Sequence, residues 1–209
     1  MPDIIEQHRR FLPHFQAAEQ IINLTWRLAF TLPHHLIDLH TEIHEQLHEL
    51  KQQKDSHRKH QQILAYTKMI EDYDAILGRC EDAHLSLCEP RIAVMMCNAF
   101  KFYDTNLYEL HAFCLMPNHI HLLIKPLQNH KGEYCKISGI VQRLKSYTAK
   151  EINHIIGKEG KVWGDDYFDR FIRNQDDYNN TVNYILYNPV KANLIALAEN
   201  WHYSYYCDA

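Results

Sequence analysis

The stretch CLMPNHIHLLI, residues 114–124, constrains the fold more than any other part of the chain. Leu115, Met116, Ile120, Leu122, Leu123 and Ile124 suit a buried strand, and Pro117-Asn118 breaks the run with turn residues. "NLYELHAFCLM" then reads as one strand and "HIHLLIKP" as its return, a hairpin. Side chains two apart on a strand leave the same side of a sheet. His119 and His121 therefore project together, with Ile120 opposite. Packing gives no reason for two imidazoles in an aliphatic strand. The pair is a candidate for binding one divalent metal; the plainer reading is a partly buried pair bonded to backbone.

The elements around this hairpin suggest an order. Residues 1–20 read as an N-terminal arm, and "IINLTWRLAF" as a strand. Residues 34–89 change character, with helical recurrence of Ile37, Ile43, Leu47 and Leu50, then of Ile63, Tyr66, Met69, Ile70, Tyr73 and Leu77. They are expected to be a helical insertion in a single domain of 1–209. His40, His44 and His48 fall at i, i+4, i+8 there, but without an HExxH-like acidic partner a solvated helix face is the better reading. "RIAVMMCNAFKFYD" is a helix opened by Pro90, and "ISGIVQRLKSYTAKEINHII" a helix closed by Gly157. "VWGDDYFDRFIR" is turn then strand, and "DDYNNTVNYILYN" a helix expected to stop at Pro189. Without the insertion the core order is β-α-β-β-α-β. That is an α+β, ferredoxin-like antiparallel sheet with its two helices on one face.

Composition narrows the function. Residues 91–161 carry 10 Lys/Arg against 5 Asp/Glu, whereas 1–90 carry 9 against 14 and 162–209 carry 3 against 7. The basic part surrounds the histidines, and a local basic surface attracts phosphates whatever the total charge. A solvated face is the other reading of that charge. No apolar run approaches the roughly 20 residues a membrane-spanning helix needs. The opening "MPDIIEQHRRFLPHFQ" lacks the apolar core of a signal peptide, so a cytoplasmic protein with no membrane partner is expected. The 6 cysteines form no CxxC pair and read as structural thiols.

The helix over 137–156 adds candidate chemistry. Tyr147 and Glu151 are i and i+4 and share a face, with Arg143, Lys145 and Lys150 close by. If that face meets the histidines, the set is a two-His-plus-carboxylate metal site beside a tyrosine nucleophile. Such a set suits phosphodiester transfer, in which a phenol attacks phosphorus while a metal stabilises the developing charge. Arg143, Lys145, Lys150, Arg170 and Arg173 are candidate phosphate contacts, for DNA-binding if the phosphates are those of a nucleic acid. Trp163, Tyr167, Trp201 and Tyr203 are candidate platforms for bases, although Trp163 suits core packing better.

The motifs together resemble the single-tyrosine HUH transposases, in particular the REP-associated tyrosine transposase branch. "RRFLPHFQ" with "INLTWRLAFTLP" is similar to its N-terminal signature, "CLMPNHIHLLI" to its HUH segment and "LKSYTAKEIN" to its nucleophile helix. "VWGDDYFDRFIRN" and "YILYNPVKANLI" resemble the C-terminal signatures. The resemblance implies that His119 and His121 bind Mg²⁺ or Mn²⁺, that Tyr147 is the nucleophile and that Glu151 completes the metal site. It implies cleavage and rejoining of single-stranded DNA beside REP-like hairpins through a 5′-phosphotyrosine intermediate. It further implies a bacterial, nucleoid-associated enzyme acting as monomer or homodimer. The alternatives are a non-catalytic hairpin-binding protein and a metal-dependent phosphodiesterase that uses water.

Overall fold

The computed structural model of the chain describes residues 4–9, 13–29, 77 and 85–207, with 4–9, 13–15 and 17 described in backbone only. The strands are β1 (Ile4–Arg9), β2 (Pro13–Ala17), β3 (Ile22–Arg27), β4 (Tyr108–Leu115), β5 (His119–Pro126), β6 (Phe168–Phe171) and β7 (Ser204–Tyr206). The helices are α1 (Pro90–Phe102), α2 (Ile137–Ile156) and α3 (Gln175–Lys191), followed by a 3₁₀ turn at Ala198–Asn200. β1 and β2 form an antiparallel ribbon where an N-terminal arm was expected.

The other strands form one sheet in the order β6-β3-β5-β4-β7, and every neighbouring pair is antiparallel. Counting β3, β4, β5 and β6 in chain order, the spatial order is 4-1-3-2, the ferredoxin-like arrangement expected from the sequence. β7 is an addition that extends the edge beside β4, in a tail that showed only aromatic composition.

The hairpin turn at Pro117-Asn118 sets the register of the two central strands, with Leu115 opposite Ile120 and Cys114 opposite His121. One face of the sheet presents Ile22, Leu24, Trp26, Leu110, Phe113, Leu115, Ile120, Leu122 and Ile124. Onto it pack Ile92, Met96 and Phe100 of α1 and Ile140, Val141, Leu144 and Ile152 of α2. The helices of the β-α-β-β-α-β unit thus share one face. α3 corrects the simpler picture by covering the other. Its Tyr178, Val182 and Ile185 pack on Ala112, Cys114 and Leu123. It also runs through Pro189 to Lys191 rather than stopping before the proline. Proline in a helix costs a hydrogen bond and crowds the preceding turn. Pro189 is itself buried, so packing offsets that cost. With helices on both sides β5 is buried on both faces, which explains why its apolar residues run on instead of alternating.

Local signals fix the helix ends. The Glu89 carboxylate accepts from the Ile92 N–H to cap α1, and Asn174 accepts from the Asp177 N–H to cap α3. Lys136 provides no side-chain cap for α2. The buried amide of Gln16 does so instead, accepting from the Ile137 N–H and donating to the Cys135 carbonyl at 2.8 Å each. Gly157 ends α2 at φ 64°, a left-handed conformation that glycine adopts without strain. The expected 34–89 insertion, with His40, His44 and His48, lies outside the described residues except for Leu77 and 85–89. Of these, Leu77 and Leu87 are buried.

Leu122 sits in the middle of the central strand and is fully buried. Leu122→Ala is expected to lower unfolding free energy by about 2–5 kcal/mol. Val94→Ala, at an exposed position on α1, is expected to change it by less than about 0.5 kcal/mol. Urea unfolding of the two variants checks both values.

Candidate active site

His119 and His121 are both fully buried, and their rings meet edge to face with centroids 5.0 Å apart. They leave β5 on the side covered by α3. The turn residue before them orients the first. Asn118 Nδ2 donates to the Leu77 carbonyl at 2.8 Å, which directs its Oδ1 toward His119 Nδ1, 2.6 Å away. An amide oxygen only accepts, so His119 carries its proton on Nδ1 and keeps a lone pair on Nε2. That Nε2 is buried and has no hydrogen-bond partner among the described residues.

His121 is held from two elements. Its Nδ1 is 3.0 Å from Thr25 Oγ1 on β3, and its Nε2 is 2.9 Å from Asn188 Nδ2 on α3. The amide N–H donates to Nε2, which places the imidazole proton on Nδ1 and a lone pair on Nε2 here too. One turn earlier on α3, the Tyr184 ring stands edge to face with His121 at 5.7 Å between centroids. Lys191 Nζ lies 4.4 Å from the centre of the Tyr184 ring. Arg27 on β3 is the register partner of His119 and belongs to the same side of the sheet. Burial depresses both imidazole pKa values. His119 lies well below the ordinary histidine value, with His121 adding to the effect, and His121 is pushed down to about 3, with the Lys191 charge adding to it. Both rings are therefore neutral, the form that ligates metals.

These residues fit a divalent metal. The orphaned lone pair of His119 Nε2 is an atom a cation would satisfy, and His121 Nε2 is the matching donor on the same side of the strand. Asn188 already reaches His121 Nε2, and turning its amide puts Oδ1 where Nδ2 now is. Among the described residues no group of three His, Cys, Asp or Glu side chains could hold a metal, and the polar side chain that reaches the pair from α3 is the Asn188 amide.

The structure brings His119 and His121 together and leaves Tyr147 and Glu151 elsewhere. α2 packs its Leu144, Thr148 and Ile152 side against the opposite face of the sheet. Tyr147 is 45% exposed on that helix. The expected contact between Tyr147, Glu151 and the histidine pair is therefore not made within the chain. Arg143 and Lys150 are exposed on the same helix. Lys145 donates to the carbonyls of Gly164 and Asp166 at 3.0 and 2.9 Å, holding the loop before β6. Arg170 is directed inward, pairing with Asp177 at 2.8 Å and donating to Thr181, while Arg173 also binds Asp177. Trp163 and Tyr167 are buried, with the Trp163 indole N–H donating to Thr148. Trp201 donates to the Leu115 carbonyl, and its ring meets Tyr203 edge to face.

The family model "Transposase IS200 like" matches residues 86–188, a span that holds both histidines and Tyr147, Glu151, Tyr184 and Asn188 alike. Residues 86–188 are thus similar to the IS200-like transposases. A protein of Haemophilus influenzae named "Putative REP-associated tyrosine transposase" is 29% identical over 102 residues. That match covers 46% of this chain and 58% of the relative, so the chain spans little more than half of the relative's length. The fold matches a solved REP-associated tyrosine transposase bound to a REP hairpin, with a TM-score of 0.53 and 16% identity. That match covers 95% of this chain and 81% of the other. Among the described residues no helix is long and apolar enough to cross a membrane.

Sequence reasoning missed Tyr184, Asn188, Asn118, Thr25, Arg27 and Lys191. The signal for the first two was present as Y-x-x-x-N in "YILYN", the i, i+4 spacing sought on α2. Two measurements bear on this site. Asn118→Ala should weaken divalent metal binding about 10- to 100-fold, because the residue that fixes the His119 tautomer is gone. Titration calorimetry on the folded variant measures this. Asp177 gives the second. Burial opposes its charge, but hydrogen bonds from the Arg170 side chain and the Arg173 backbone more than offset this and hold its carboxyl below the ordinary value. A depressed carboxylate stabilises the fold above its unfolded pKa, and that contribution is lost as pH falls through the folded pKa. Asp177→Asn should lower Tm at neutral pH and flatten the decline of Tm with acidification.

Proposed function

We propose that this protein cuts and rejoins single-stranded DNA next to hairpins, with Tyr184 as the nucleophile and a 5′-phosphotyrosine intermediate. The observation that carries this reading is the meeting of α3 with β5. One helix supplies a tyrosine against His121 and, one turn later, the amide that binds His121. Tyr184 replaces Tyr147 in this role because Tyr147 lies across the sheet from the histidines.

His119, His121 and Asn188 would hold the divalent metal, Mg²⁺ or Mn²⁺, which when bound neutralises charge at the scissile phosphate. The chain's own groups do the rest. The Tyr184 oxygen forms a bond to phosphorus as the bond from phosphorus to the 3′-oxygen breaks. The phenol gives up its proton and the departing 3′-oxygen gains one, so charge balances. Asn118 and Thr25 hold the imidazoles in the tautomers that present Nε2. The covalent bond preserves the energy of the phosphodiester, so the 3′-hydroxyl of another end can reverse the step without ATP. The nucleophile and the histidines belong to one chain, which supports a monomer carrying a complete site, with a homodimer not required. The hairpin bound by the solved relative supports a REP-like hairpin as the DNA partner here.

The test is an adduct assay with labelled hairpin oligonucleotides, protein and Mg²⁺ or Mn²⁺ on a denaturing gel. Wild type and Tyr147→Phe should give a metal-dependent protein–DNA band, and Tyr184→Phe at least 10³-fold less, roughly the scale of losing a nucleophile. Cleavage without a band in wild type would replace this reading with a phosphodiesterase using water. Binding without cleavage would replace it with a hairpin-binding protein.

A further inference from the structure

We propose that Lys191 and Tyr187 form the track for the single-stranded DNA flanking the reaction centre, with Lys191 contacting the phosphate beside Tyr184 and Tyr187 stacking the adjacent base. The inference rests on the reading of Tyr184 as nucleophile and names how that site holds its substrate.

At 3.6 residues per turn, Tyr184, Lys191 and Tyr187 lie side by side on α3. They flank the stripe of Thr181, Ile185 and Asn188 that faces the sheet. Tyr184 is half-buried at the edge of that stripe, and Tyr187 and Lys191 are exposed. The three thus run from the histidine pair outward to solvent on one continuous strip.

The charges single out Lys191. Residues 162–209 hold three cations, Arg170, Arg173 and Lys191, against seven acidic side chains. Arg170 and Arg173 are both committed to Asp177. Lys191 makes no ion pair among the described residues. It rests over the Tyr184 ring, with Nζ 4.4 Å from the ring centre. A phosphate presented to the Tyr184 oxygen meets this ammonium.

Tyr187 is 53% exposed and has no ring or hydrogen-bond partner among the described residues. A large ring left open one turn from a reaction centre suits base stacking, which tolerates any sequence because every base has a π face. A cation beside an aromatic is how proteins grip single strands. The plainer reading is that Lys191 complements the α3 dipole, which predicts an effect on stability and none on DNA.

The experiment uses the full chain and a fluorescent hairpin oligonucleotide with a thymidine tail, with EDTA present and binding followed by anisotropy across a salt series. Lys191→Gln should reduce the slope of log K against log salt by about 0.7, the value for one single-strand phosphate contact, and Lys191→Arg should restore it. Tyr187→Ala should weaken binding about 5- to 100-fold with the slope unchanged, and Tyr187→Trp should preserve affinity. A wild-type slope in Lys191→Gln, or wild-type affinity in Tyr187→Ala, overturns the proposal. No metal is present and no bond breaks, so failure here leaves the adduct test of Tyr184 standing. A failed adduct test with these binding effects intact instead leaves a DNA track on a protein that does not cut.

Discussion

The hydrogen bond between Asn188 and His121 joins the two halves of this molecule. A buried imidazole nitrogen needs a partner, and so does a buried amide. Each supplies the other's, 2.9 Å apart, across the gap between α3 and the central strand. Around it the contact is apolar, with Tyr178, Val182 and Ile185 on Ala112, Cys114 and Leu123. Apolar packing alone would tolerate a helix shifted along its axis. One polar pair in a dry interface tolerates little, because a shift leaves both groups unpaired at a cost of about 1–3 kcal/mol each. The same bond that fixes α3 therefore fixes the distance from Tyr184 to the histidines.

The histidines are prepared from behind in different ways. The Leu77 carbonyl, the Asn118 amide and the His119 ring form a chain in which each donor has one available acceptor. Its end is the buried lone pair of His119 Nε2, which has no hydrogen-bond partner among the described residues. On the other ring, a hydroxyl from β3 and an amide from α3 give the same tautomer. Burial keeps both rings uncharged, so no proton competes for the lone pairs near neutral pH. Asn118 belongs to a turn, Thr25 to a neighbouring strand and Asn188 to a remote helix. The site is thus a product of the tertiary fold, although its two histidines are one residue apart.

That distribution explains which parts were legible in the sequence. The strand carrying His119 and His121, the turn before it, the flanking helices and their order all follow from local pattern, and they yield the antiparallel 4-1-3-2 sheet. The partner helix did not follow. α2 and α3 both offer a tyrosine with a polar residue four positions on, Tyr147 with Glu151 and Tyr184 with Asn188. The resemblance of "LKSYTAKEIN" to a nucleophile helix, with the Glu151 carboxylate four residues after Tyr147, favoured α2. Strand alternation should reveal which face a helix covers, but β5 is buried on both faces and its pattern is silent. Arg170 misled for a related reason. An arginine on an edge strand suggests a phosphate contact, and only the position of Asp177 on α3 turns it inward.

The sheet also divides the charge. The positive balance of residues 91–161 includes Arg143 and Lys150, both on α2 and both on the far side from the histidines. The sheet therefore lies between those side chains and Tyr184. On the α3 side the cations are Arg27, the register partner of His119, Lys191 over Tyr184, and Arg170 and Arg173, which both pair with Asp177. On the proposed reading, so few cations beside Tyr184 would bind a single strand weakly by themselves, and affinity would come from a structured element such as a hairpin held away from the centre. A ligand set of two neutral imidazoles and an amide would follow the same logic on that reading, because it would leave a bound divalent cation its full charge, to be opposed by the phosphate rather than by the protein.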